Sequence, residues 1–136
     1  MSASKLPNYA WLLTIVQVVR VIGVLFLFEY QRGNLPAVFA IPAGVGDVLV
    51  GLTAPIVALS LRKGGSLTLA LALTWNALGL ADLVYAVNIA LLAGANYVLT
   101  SYLGVIPAVF VPLAIVLHLA TIVLLARQLR KPSRTV

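Results

Sequence analysis

Arg20, Asp47, Asp82 and His118 are ionisable side chains set inside stretches that are otherwise almost wholly apolar. On translocon-insertion scales an arginine or aspartate at a helix centre costs about 2.5–3.5 kcal/mol. Such residues must therefore face a bundle interior, a subunit interface or a water-filled cavity, and pair with one another. Their types suggest a chemistry. Arg20 can hold an anionic group or tether a carboxylate, while Asp47, Asp82 and His118 can take up and release protons.

Relative depth sharpens the pairing. Arg20 lies eleven residues into the first apolar run, roughly 16 Å at helical rise. Asp47 and His118 each lie eleven residues past a proline, Pro36 and Pro107, which brings both to the middle from the other side. Asn76 falls at a similar level, and Asp82 lies six residues further on. The expected arrangement sets Arg20 against Asp47 with Asn76 and His118 nearby, and a protonated Asp82 above them.

Three further residues join the candidate substrate- or proton-binding set: Gln17, Asn76 and Trp75. Trp75, far from either end of its run, could form a flat wall for a ligand or simply pack the core. At 3.6-residue spacing the inward stripes read Thr14, Gln17, Arg20, Val24; Ala40, Ala43 or Gly44, Asp47, Gly51, Pro55; Trp75, Gly79, Asp82, Ala86, with Asn76 on the flank; and Val111, Ala114, His118, Thr121. Small and polar stripes of this kind also serve plain helix packing.

The elements that must position these residues are four apolar runs, about 9–28, 36–61, 67–93 and 105–126. Each is long enough to cross a hydrocarbon core, where isolated segments satisfy their backbone by forming helices. Hydrophobic residues make up 62% of the chain and charged residues 9%, against about 25% charged in soluble domains. The expected fold is an all-α integral membrane protein: a single four-helix bundle with short connections and a basic tail over 127–136. The first run is expected to be a retained helix, not a cleaved signal.

Lys5, Arg62, Lys63, Arg127, Arg130, Lys131 and Arg134 fall on one side of a four-pass chain, and Arg32 on the other. That asymmetry predicts both termini in the cytoplasm, in a bacterial inner membrane. It also explains the net charge of +6 without nucleic acid. Tyr9 and Trp11 at one boundary, and Tyr30, Tyr97 and Tyr102 at the other, suit interfacial anchors. In the second run Pro42, Gly44, Gly46 and Pro55 flank Asp47, so a break exposing backbone groups, or a simple kink, is expected there.

Two short echoes appear. Pro36-Ala-Val-Phe39 recurs as Pro107-Ala-Val-Phe110, an offset that also superposes Asp47 on His118, and Gly44-Val-Gly-Asp47 parallels Gly79-Leu-Ala-Asp82. No cysteine is present, and the single histidine has no partner at ligand spacing, so no metal site is expected. His118 could ligate a haem only across a dimer. Nucleophile-elbow, P-loop and dinucleotide motifs are absent. Three functions remain: a homo-oligomeric carrier binding a small molecule or ion, an intramembrane enzyme using Asp/His acid–base chemistry on a lipophilic substrate, and an assembly subunit held by Arg20 and Asp47. Membrane lipids are partners in all three.

Overall fold

The computed structural model of the chain describes residues 9–93, 98 and 101–130. Lys5, Asn96, Tyr97, the stretch Met1–Asn8 and the tail from Lys131 to Arg134 lie outside the described residues. Four helices are long and apolar enough to span a membrane: α1 (Ala10–Gln31), α2 (Ala37–Lys63), α3 (Ser66–Leu92) and α4 (Tyr102–Leu129). No strand occurs among the described residues. α1 packs on α2, α2 on α3, α3 on α4, and the first part of α1 on α4, which closes a ring of antiparallel neighbours.

The connections are tight. α2 and α3 are joined by Gly64 and Gly65, at φ 77° and 114°. Only glycine adopts that backbone without strain, so the pair turns the chain back within two residues. At the other end α1 runs three residues beyond the expected boundary, through Glu29-Tyr30-Gln31. The Glu29 carboxylate accepts from Arg32 Nη1 at 2.8 Å, Asn34 Nδ2 at 2.6 Å and Tyr102 Oη at 2.7 Å, which ties the turn back onto the helix.

Two of the helices are irregular, and neither is the one expected. α2 stays α-helical from Ala37 to Lys63 through both Pro42 and Pro55. Of the break or kink expected there, the break is absent: the packing of α1 along one side and α3 along another holds the helix through its missing backbone donors. α1 contains no proline, yet it tightens to a 3-10 helix over Val16–Gly23. α4 opens with a 3-10 turn, Tyr102–Gly104, and a π turn, Ile106–Phe110, before its α-helical body Val111–Leu129. The repeated Pro-Ala-Val-Phe tetrapeptide thus starts an ordinary α-helix in one copy and sits within a π turn in the other.

The 3-10 segment changes which side chains face inward. At three residues per turn, positions i and i+3 eclipse. Thr14, Gln17, Arg20, Gly23, Phe26 and Glu29 are all buried, a period of three, and Val24 from the expected stripe is only half-buried. The other stripes also shift by a residue: Ala54 replaces Pro55, and Asn76 lies at the centre of its stripe with Trp75 and Asp82 on the flanks. On α4, Ala114, His118 and Thr121 are buried and Val111 is half-buried.

The interior is layered along the bundle axis. Phe26, Leu35, Phe39, Val98, Leu103 and Ile106 form an apolar cluster at the Glu29 end, with Phe26 and Phe39 edge to face at 5.2 Å. Ala10, Val57, Leu61, Leu69, Ala72 and Leu125 form a second at the Arg62 end, where the Arg62 guanidinium lies 5.2 Å from the Trp11 ring. Between them is a polar layer.

Candidate functional site

The polar layer is organised by one side chain. Arg20, 4% exposed, reaches from the 3-10 segment of α1 toward the other three helices. Its Nε donates to Asp47 Oδ1 on α2 at 2.7 Å, and Nη2 lies 2.7 Å from the same oxygen. Nη2 also donates to Asp82 Oδ2 on α3 at 2.5 Å. Nη1 donates to the Gly79 carbonyl on α3 and meets His118 Nε2 on α4, each at 3.2 Å. A guanidinium has five N–H donors and no acceptor. Every one is used.

This geometry fixes the histidine. Because Arg20 can only donate, the nitrogen facing it must offer its lone pair. Nδ1 then carries the proton and donates to Asn76 Oδ1 at 2.9 Å, while Asn76 Nδ2 donates to the Ala72 carbonyl at 2.8 Å. His118 is therefore a neutral relay of hydrogen bonds running from Arg20 into α3. The Trp75 ring lies 5.5 Å from the His118 ring and donates through Nε1 to Thr53 Oγ1 at 2.9 Å. Among the described residues no group of three His, Cys, Asp or Glu side chains converges as metal ligands.

Asp82 departs from expectation. It does not stand apart above the cluster but shares Arg20 with Asp47, and Nη2 lies against both carboxylates. Helical rise along α3 does set it closer to the Glu29 end, but the length of the arginine side chain spans that difference. Asp47 and His118 make no hydrogen bond to each other; each meets a different nitrogen of the guanidinium, Nε and Nη1.

Glycines create the room. A Cβ on Gly23 would overlap the Asp47 side chain, one on Gly46 the Asp82 carboxylate, and one on Gly79 the His118 imidazole. Each cluster member except Arg20 thus lies against a bare backbone on a neighbouring helix. Sequence reasoning assigned such glycines to general packing. The signal was available in the second echo, since Gly44-Val-Gly-Asp47 and Gly79-Leu-Ala-Asp82 each join a cluster aspartate to a glycine that admits another member.

Of the remaining polar residues on the stripes, the two threonines serve their own helices. Thr14 donates to the Ala10 carbonyl and Thr121 to the Leu117 carbonyl, both at 2.8 Å. Gln17 Nε2 donates to the Ala114 carbonyl at 3.2 Å, joining α1 to α4, and its Oε1 has no partner among the described residues.

A cavity of about 220 Å³ lies between this layer and the Glu29 end. Its walls are apolar, among them Phe26, Phe39, Leu83, Ala86 and Val111, and Asp47 is the one polar residue that lines it. A second crevice, about 10 Å³, touches Arg20 and Asp47 from the α1–α4 side. His118 and Trp75 line neither space. The arrangement therefore offers a carboxylate, oriented by a buried guanidinium, at the end of an apolar chamber.

The family described as a domain of unknown function, DUF8737, matches residues 1–126. The chain belongs to the DUF8737 family. No curated protein and no solved structure matches it. Family membership leaves the site's role to be argued from the geometry above.

Proposed function

We propose that this DUF8737 protein is a membrane carrier or binding protein for a small, largely apolar molecule, held within its own helix bundle with Asp47 as the polar contact. The observation that carries the reading is the 220 Å³ apolar cavity closing on Asp47. A smaller aliphatic cavity, about 150 Å³, already accommodates a benzene ring. Arg20 fixes the carboxylate rotamer, so the polar contact is preorganised when the ligand arrives. The charge asymmetry of the sequence supports an orientation with both termini cytoplasmic. Four helices enclose little space, so a route across the membrane would form between copies of the chain. The chamber itself is lined by residues of one chain.

The enzyme reading is less well supported. His118 is fully buried, faces Arg20 and Asn76, and does not border the chamber where a lipophilic substrate would lie. An assembly role has no observation that favours it over ligand binding.

Native mass spectrometry of the protein released from nanodiscs, with and without benzene, tests the proposal. The expected result is one retained or exchangeable small molecule per chain, lost in Ala86→Phe, which fills the chamber away from the charged cluster. Wild type that retains nothing and whose mass and Tm are unmoved by benzene would rule the reading out. The same spectra count the subunits.

A further inference from the structure

The chamber and the charged cluster together restrict what the ligand can be. Two carboxylates, Asp47 and Asp82, meet one guanidinium. His118 adds no positive charge, because its Nε2 accepts from Arg20. With both carboxylates ionised, the cluster carries one uncompensated negative charge, shared between the buried Asp47 and the half-buried Asp82, whose side chain is 23% exposed. Such a charge is not tolerated unpaired in an apolar environment. Asp47 is faced by Arg20 from α1, by Asp82 from α3 and, across the guanidinium, by His118 from α4. None of these can supply the missing positive charge. It has to come from a proton or from a bound cation.

The lining selects between ligands in the same direction. With Asp47 ionised, none of the lining side chains is a hydrogen-bond donor, and the one polar group is its carboxylate. Oδ1 of Asp47 accepts Nε–H of Arg20 and lies 2.7 Å from Nη2, and Oδ2 has no hydrogen-bond partner among the described residues. A ligand bearing only acceptors would find no partner in the chamber, and an anionic one would meet like charge. A donor, and above all a cationic donor, completes both the hydrogen bonding and the charge. Phe26 and Phe39 in the walls add aromatic faces, which favour cations over neutral groups.

Building on the ligand-binding reading, we infer that the chamber takes a small lipophilic ammonium ion, which exchanges with a single proton held by the Asp47–Asp82 pair. In the empty site one carboxylate is protonated and the cluster is neutral. When the ammonium enters, its N–H donates to Asp47 and the carboxyl proton leaves to water. The cluster with its ligand is neutral again. One positive charge enters and one leaves, and no covalent bond other than O–H breaks. An exchange of this kind couples uptake of the cation to proton movement in the opposite direction.

The test holds the ring constant and varies the head group. Benzylammonium, benzyl alcohol and benzoate are titrated calorimetrically into nanodisc-embedded protein, with empty nanodiscs subtracted. Buffers of different ionisation enthalpy report proton release. All measurements are made at pH values where the amine is protonated. The expected result is benzylammonium binding at least tenfold tighter than the alcohol, no saturable benzoate binding, and about one proton released per cation bound, with affinity rising as pH rises. Asp47→Asn abolishes the cation preference. Asp82→Asn, which leaves one carboxylate for one guanidinium, abolishes the proton release. Ala86→Phe, which leaves the cluster intact, blocks both benzylammonium and benzyl alcohol, and a Tm equal to that of wild type shows that the variant is folded. Equal affinity for the ammonium and the alcohol overturns this inference but leaves the ligand-binding reading standing. Failure of every ring compound, benzene included, removes the reading itself. Cation binding that survives both Asp47→Asn and Ala86→Phe is adsorption to the membrane and overturns the inference.

Discussion

The chain pairs arginine with carboxylates in two places, and the two clusters differ in nearly every respect. Arg20 is buried and draws its partners from α2, α3 and α4, residues distant in sequence. Arg32 has a side chain 68% exposed, and its partner Glu29 lies three residues away. In the Glu29 cluster only Tyr102 comes from a distant helix. In the interior cluster the Arg20 donors are satisfied by protein groups; in the peripheral one the exposed Arg32 side chain has an alternative partner outside the bundle, although Glu29 is buried. The comparison teaches that ionic groups hold a helical bundle together where desolvation makes losing a partner costly, not wherever opposite charges meet.

Removal of the central cation should have the largest effect. Arg20→Ala leaves two carboxylates facing each other in the interior and should destabilise the bundle by about 3–5 kcal/mol. The expected outcome is loss of the protein from membranes, read by pulse–chase and immunoblot. Replacing the whole set, Arg20→Met with Asp47→Leu and Asp82→Leu, should restore accumulation, because an apolar replacement of a complete buried ion cluster is often neutral or better. If the triple variant is as unstable as Arg20→Ala, charge desolvation does not account for the difference between the clusters.

Crowding the cluster comes next. Gly79→Ala places a methyl group against the His118 imidazole and should cost about 1–3 kcal/mol, read as a lowered Tm in detergent. Gly33→Ala, at a turn with open space around it, is a poor control because its φ is 77°. Leu67→Ala, at an 84% exposed site near the start of α3, is a better one and should leave Tm nearly unchanged.

A smaller effect is expected from the hydrogen-bond relay. Asn76→Ala leaves the His118 Nδ1–H without its acceptor and should cost about 1–3 kcal/mol, toward the lower end if the ring turns to another partner. Asn76→Asp, which retains an acceptor, should recover part of the loss in the same melting assay.

The smallest effects belong to the periphery. Arg32→Ala and Tyr102→Phe should each leave Tm within measurement error of wild type, and what change there is should shrink further with added salt. A drop in Tm comparable to that of Gly79→Ala would show that the peripheral cluster, too, is effectively shielded from solvent, and would erase the contrast.

Much of the architecture was readable before any coordinates. The apolar runs and their spacing forecast all four helices, because a run that cannot hydrogen-bond to its surroundings must satisfy its backbone within itself. The inward placement of Arg20, Asp47, Asn76 and His118 was also legible, since charge and amide groups in such runs have few places to go. Other features were not. Pro42 and Pro55 suggested a broken α2, but neighbouring helices hold it continuous; the irregular winding fell instead on Val16–Gly23, where no proline or glycine pair announces it. That winding then set a three-residue burial period in α1, which moved Gly23 into the interior in place of Val24. Trp75 lay at a suitable depth for a ligand wall yet points away from the chamber, because a one-residue rotation of α3 put Asn76 at the centre instead.

The sequence by itself determined that this chain forms four apolar helices, and that its few buried charges must find each other. Both follow from solvation, which depends on residue type and run length alone. Only the tertiary structure decided that Arg20 serves two aspartates at once, that His118 is held as a neutral acceptor, and that Asp47 also borders an apolar chamber. Those outcomes depend on helix rotation, local winding and the close approach allowed by Gly23, Gly46 and Gly79. Such quantities are set by how four surfaces pack together, and no single helix encodes them.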